Sequence, residues 1–224
     1  MVPWETLATA PMSGGDEVRL LRRGEEYSIR VGGFELMSSR VHGSEEALAE
    51  RACERIASRK APRVLVGGLG MGYTLAAALR GLPDDGRVDV VELVPAVIEW
   101  NRGMLGHLAG YPLRDPRVSV RPQDVAEAIA EADAAFDALL LDVDNGPGGL
   151  ARPCNDGLYA RAGLAAARSA LRPGGVLAVW SAAPDDAFTQ RLRQAGFDVD
   201  ENRVKARGQG KGAWHTLWFA GRRT

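Results

Sequence analysis

The chain has 224 residues, 46% hydrophobic and 25% charged, a profile of an ordinary globular protein long enough for one domain, or one plus a small appendage. Lys and Arg number 28 against 29 Asp and Glu, so the net charge of -1 gives no overall field that would draw it to nucleic acid or an anionic membrane. Cys53 and Cys154 suit neither a disulfide framework nor a metal site, and without a long apolar run or a basic-then-apolar leader the chain reads as cytoplasmic, with no membrane partner.

Residues 1–16, with Pro3, Pro11 and Gly14-Gly15, show no period and read as a loose lead. Residues 17–60 read as a β-hairpin appendage with a linking helix. Val18-Arg19-Leu20-Leu21, Tyr27-Ser28-Ile29-Arg30-Val31 and Phe34-Glu35-Leu36-Met37 are short strand-like runs separated by Gly24 and by Gly32-Gly33. Ser44 is the expected N-cap of a helix reaching about Ser58, with Glu45 and Glu46 in its first turn.

From 61 to 224 strand and helix patterns alternate. Strands are expected at Arg63–Gly67, Arg87–Glu92, Val118–Val120, Phe136–Leu141 and Val176–Ser181. Helices are expected after Gly72, from Pro95 to about Leu108, at Val125–Ala132, at Leu158–Leu171 and at Asp185–Ala195. Phe197–Val199 and Trp214–Phe219 read as an antiparallel hairpin at the sheet edge, and the basic residues Arg203, Lys205, Arg207 and Lys211 between them as a solvated loop. The fold class is therefore α/β: a doubly wound, mostly parallel, Rossmann-like seven-stranded sheet with a small N-terminal appendage.

In such sheets ligands bind beyond the carboxyl ends of the strands. The ends collected here are Gly68-x-Gly70-x-Gly72, then Glu92 about 20 residues on, Asp124, Asp142-Val143-Asp144-Asn145 and Trp180-Ser181. A glycine turn opening a helix offers N–H groups and the positive end of a dipole, and an acid ending the next strand suits ribose hydroxyls. Together they point to a nucleoside-type cofactor. Each acid also has a structural reading: Glu92 as a helix-entry acid, Asp124 as the N-cap of Val125–Ala132, and Asp142–Asn145 as an Asx-rich turn.

These motifs, with "LLLDVDNGPG" and "LRPGGVLAVWS", resemble the class I S-adenosylmethionine-dependent methyltransferase fold and, within it, the spermidine synthase (polyamine aminopropyltransferase) family, over residues 17–220. The resemblance implies that Gly68, Gly70 and Gly72 cradle the cofactor, Glu92 holds its ribose and Asp124 its adenine amino group. Asp142 would be catalytic, with Asp144 and Asn145 orienting a small-molecule, amine-type acceptor. Two departures stand out: the family's turn has an aspartate where this chain has Gly70, and its second acid, three residues after the first, is here Asn145. An aspartate would repel the carboxylate of S-adenosylmethionine and a glycine leaves room for it, so methyl transfer from S-adenosylmethionine is the expected reaction. Aminopropyl transfer from decarboxylated S-adenosylmethionine is the alternative, and a non-catalytic cofactor-binding subunit or, more distantly, an NAD-type dehydrogenase are others. Glu45 stands near the family's glutamine; His42 reads as a pocket base or a surface histidine, Tyr159 and Trp180 as pocket walls or core, and His215 as structural. An exposed hairpin edge suits pairing into a homodimer.

Overall fold

A computed structural model describes residues 2–12, 15–143, 147, 156–207 and 212–223. Asp144, Asn145 and Cys154 lie outside the described residues. Four N-terminal strands, β1 (Glu5–Pro11), β2 (Glu17–Arg23), β3 (Glu26–Val31) and β4 (Phe34–Ser38), form an antiparallel sheet in that order. The lead expected to be loose thus contains a strand: Thr6 to Pro11 pair with Leu21 to Glu17, with a bulge between Thr6 and Ala8. The prolines sit before the strand and at its end, on an edge where a missing N–H costs little.

Helix α1 (Gly43–Arg55) then leads into a seven-stranded sheet of order β10-β11-β9-β8-β5-β6-β7. Its members are β5 (Arg63–Gly67), β6 (Arg87–Glu92), β7 (Val118–Pro122), β8 (Phe136–Leu141), β9 (Leu171–Ser181), β10 (Phe197–Lys205) and β11 (Trp214–Arg222). The first five run parallel; β11 is antiparallel to both β9 and β10, the expected edge hairpin. Helices α2 (Tyr73–Gly81), α3 (Pro95–Arg102), α4 (Val125–Ala130), α5 (Asp156–Tyr159), α6 (Arg161–Ala170) and α7 (Asp186–Gln194) occupy the crossovers.

Strand side chains alternate between two cores. Val64, Val66, Leu140 and Ala178 pack with Leu48 of α1, Leu75 of α2 and Ile98 of α3, and this core continues into Val18, Leu20 and Ile29 of the N-terminal sheet. Leu65, Leu139, Leu141 and Val179 pack on the other face with Ile129, Leu164, Leu192 and the fully buried Trp218. Strand β8 is buried along its whole length, as a nearly continuous apolar run between β5 and β9 must be, with Asp137 its one polar member.

Three sequence expectations are corrected. The Pro95 helix ends at Arg102, where Gly103 takes a backbone (φ -112°, ψ -100°) outside the helical region, and resumes only as a 3₁₀ turn at Gly106–Ala109. The helix expected from Leu158 to Leu171 breaks at Ala160 into α5 and α6. The strand expected at Val176–Ser181 begins at Leu171 and takes in Arg172-Pro173-Gly174-Gly175 as an irregularity opposite Phe136–Ala138. There Asp137, 1% exposed, accepts the Arg63 N–H at 2.9 Å and Arg172 Nη1 at 2.7 Å, anchoring the sheet at the end away from the glycine turn.

Candidate active site

Strand order reverses between β5 and β8, and a cleft opens where their carboxyl ends part. Gly68, Gly70, Glu92, Asp124 and Asp142 all line it, so five of the expected residues meet at one place. Met12, Val18, Ile29, Leu36 and Met37 of the N-terminal sheet and its first turn form a wall, with Trp180 and Glu45. Gly72 instead caps α2 with φ +85°. Asp144 and Asn145 fall outside the described residues.

The glycine turn is held tightly. At Gly68 (φ +86°) a Cβ would come 2.6 Å from the Asp142 carbonyl oxygen, so only glycine lets the turn pass the end of β8. Glu92 clamps it: Oε2 accepts the Leu69 N–H and Oε1 the Val94 N–H, each at 2.9 Å. Asn101, which sequence reasoning passed over, donates from Nδ2 to the Gly70 carbonyl at 2.8 Å and to the Val97 carbonyl at 2.9 Å. Its signal was faint: one amide inside a helix, facing a turn 31 residues earlier.

Gly70 lines the cleft beside Met37. Its φ is +52°, and a Cβ there would lie 2.7 Å from both Sδ and Cε of Met37, whose sulfur accepts the Met71 N–H at 3.0 Å. The Gly68 N–H is bonded to the Val91 carbonyl and the Gly72 N–H to the Leu69 carbonyl. Four N–H groups of the turn, at residues 68, 69, 71 and 72, therefore already have acceptors. Methyl transfer from S-adenosylmethionine rested on this turn receiving a carboxylate; the end of the Met37 side chain lies against it here.

The carboxylates dominate the electrostatics. Asp124 does cap α4, its Oδ1 accepting the Ala126 N–H at 2.7 Å, while it still lines the cleft. Asp142 accepts from Thr74 Oγ1 at 2.8 Å; burial pushes it up to about 6, against the pull of that hydroxyl. Glu45, 6% exposed, is pushed up to about 8 by burial first and by the neighbouring Asp142 charge second. Among the described residues lining the cleft there are four carboxyl groups and no cationic side chain.

Ser44 is not the N-cap; His42 holds that position, with no capping bond from its side chain. Ser44 Oγ instead reaches Glu45, His215 and Trp180. His42 stacks on Tyr73 at 4.0 Å with Nδ1 3.5 Å from Glu46, away from the cleft lining. Trp180 walls the cleft, whereas Tyr159 packs edge-on against Phe188 in the opposite core.

A pH effect on stability follows. The unfolded chain gives up the Glu45 proton near the ordinary glutamate value of 4.5 and the folded chain only at about 8, so between these values the native state holds the extra proton and loses stability as pH rises. In thermal melts the wild type should lose ground to Glu45→Gln from pH 5 to 8, on the order of a few kcal/mol. A difference independent of pH would refute the buried, proton-retaining Glu45.

This architecture, a doubly wound sheet with a cleft at its switch point and a four-stranded N-terminal sheet, is of the class I methyltransferase-like kind. The chain belongs to the spermine/spermidine synthase domain family, whose model matches residues 45–189. A polyamine aminopropyltransferase of Prochlorococcus marinus is 34% identical over 129 residues, covering 57% of this chain and 43% of that protein. One from Mycobacterium tuberculosis is 30% identical over 197 residues, covering 84% of this chain and 36% of its own. The chain thus spans less than half the length of these curated relatives. Among solved structures, spermidine synthase from Thermotoga maritima superposes with a TM-score of 0.75 at 18% identity, over 97% of this chain and 72% of that one. A probable spermidine synthase from Corynebacterium glutamicum gives 0.66 at 15%, over 97% and 80%. At these identities the structural likeness speaks for the fold.

Proposed function

We propose that the chain is a polyamine aminopropyltransferase that uses decarboxylated S-adenosylmethionine, and that it transfers the three-carbon amine arm to a linear diamine or polyamine. The observation that carries this reading is the charge of the cleft: four carboxyl groups, apolar walls and no cationic side chain among the described lining residues. Donor and acceptor are both cations. Ordinary S-adenosylmethionine brings a carboxylate, for which the occupied turn N–H groups and the surrounding acids make a poor receptor. The curated relatives carry the same activity in their names.

Glu92, whose two oxygens accept the Leu69 and Val94 N–H groups at the end of β6, holds the ribose hydroxyls in this reading. Asp124 caps with Oδ1 and offers Oδ2 to the adenine amino group. The acceptor nitrogen must be neutral to attack. Asp142, raised toward neutrality, takes the ammonium proton; Asp144 and Asn145 align the amine. The nitrogen lone pair then forms the C–N bond as the C–S bond breaks, its electrons leaving on sulfur as a neutral thioether. Holding both cations at attack distance in one walled cleft supplies much of the acceleration. We place the enzyme in the cytoplasm and pair it into a homodimer through the outer strands of the N-terminal sheet; light scattering at twice 24.0 kDa tests the pairing.

The deciding assay incubates the protein with a 1,4-diamine and either donor, followed by mass spectrometry. Methylthioadenosine and an aminopropylated amine in equal amounts, from the decarboxylated donor alone, are expected. S-Adenosylhomocysteine with a methylated amine would restore methyl transfer. Binding without turnover across a diamine series would leave a non-catalytic binder.

A further inference from the structure

Behind Glu45 lies a polar chain that the proposed transfer does not use. Ser44 Oγ is 2.6 Å from Glu45 Oε2, 2.8 Å from His215 Nδ1 and 3.0 Å from Trp180 Nε1. Ser44 is fully buried, Glu45 nearly so, and His215 is half-buried near the start of β11. The Trp180 and His215 rings meet edge-on at 4.7 Å, which fixes the imidazole against the indole.

Donor and acceptor counting restricts this chain to two states. A hydroxyl has one proton and two lone pairs, and an indole N–H can only donate, so Trp180 occupies one lone pair of Ser44. Of the two remaining partners, one must take the Ser44 proton and the other must donate. Either Glu45 is protonated and donates to Ser44, which donates to an unprotonated Nδ1, or Glu45 is ionised and accepts from Ser44, which accepts from a protonated Nδ1.

We propose that Ser44 and His215 form a proton relay leading from Glu45, on the cleft wall, to the half-buried imidazole on β11. The inference rests on the transferase reading for its purpose, which is to clear the proton released by the acceptor amine. In one passage the Glu45 O–H bond breaks as its proton bonds to Ser44 Oγ, while the Ser44 proton bonds to His215 Nδ1. The imidazolium so formed sheds its Nε2 proton to water; return of the chain to its first state then needs a new proton on Glu45, a turn of the Ser44 hydroxyl and exchange of the imidazole proton from Nδ1 back to Nε2 through water. Each atom keeps its valence and no further reactant enters. The groups bearing on Glu45 are Asp142 at the end of β8, Glu46 on its own helix and Tyr73 of α2; His215 is shifted downward by burial alone, which keeps it neutral until a proton arrives.

The test uses the intact protein labelled with ¹⁵N-histidine; with three histidines in the chain, loss of one resonance set in His215→Asn assigns the signal. From pH 7 to 10 the His215 tautomer should change from Nε2–H to Nδ1–H in the wild type as Glu45 ionises, with no such change in Ser44→Ala. One tautomer throughout the range overturns the relay, and the wild-type measurement decides this even if a variant does not fold. In turnover, His215→Asn should lower kcat at least tenfold with an unchanged KM for the decarboxylated donor, and free imidazole should restore part of it; unaltered kcat also overturns the relay. A wild type that shows the tautomer change but transfers nothing removes the function and leaves the relay; turnover with a fixed tautomer does the reverse.

Discussion

Replacing Asp142 with asparagine is expected to lower kcat for aminopropyl transfer by about 10²–10⁴-fold, the range for loss of a positioned proton acceptor. The fold should survive, because Thr74 Oγ1 donates to Asp142 Oδ2 at 2.8 Å and can donate as well to the amide oxygen. The substitution removes a charge that raises Glu45, so the Glu45 ionisation should move down toward its ordinary range in the same variant. The two readouts separate chemistry from structure: methylthioadenosine release reports the first, and a Glu45 titration by carboxyl-carbon NMR the second. A kcat within threefold of wild type would take Asp142 out of the reaction.

Glu92→Gln, conservative in shape, is expected to be nearly as damaging. Both Glu92 oxygens accept a backbone N–H, from Leu69 and from Val94, and glutamine offers one oxygen only. Its amide N–H₂ would face a second donor inside a site 9% exposed, leaving a buried N–H unpaired at a cost of about 1–3 kcal/mol. The turn that Glu92 clamps is also the wall of the cleft, so methylthioadenosine affinity should fall at least tenfold, together with a lower melting temperature. Calorimetric titration of the two proteins measures this. Equal affinity would mean that the nucleoside does not depend on Glu92.

The doubly wound sheet was legible because its signals are local. Phe136–Leu141 is apolar but for Asp137, Arg63–Gly67 runs straight into glycines, and Glu92 and Asp142 stand at the ends of such runs. What escaped depends on distant partners. Glu5–Pro11 carries little apolar pattern of its own and becomes a strand by pairing with Glu17–Arg22. Gly70 read alone is an opening; only the folded chain brings Met37 onto it from 33 residues earlier. The contact of Ser44 with His215 spans 171 residues, and no spacing rule connects a helix start with an edge hairpin. Asp124 was open to two readings in the sequence, and it both caps α4 and lines the cleft.

Whether the cleft prefers a donor without a carboxylate is measured most directly by titrating the protein in a calorimeter with decarboxylated and with ordinary S-adenosylmethionine under one buffer. The acid lining and the occupied N–H groups of the glycine turn lead to tighter binding of the decarboxylated compound by at least tenfold. Equal affinities, or a preference for the carboxylated compound, would contradict it.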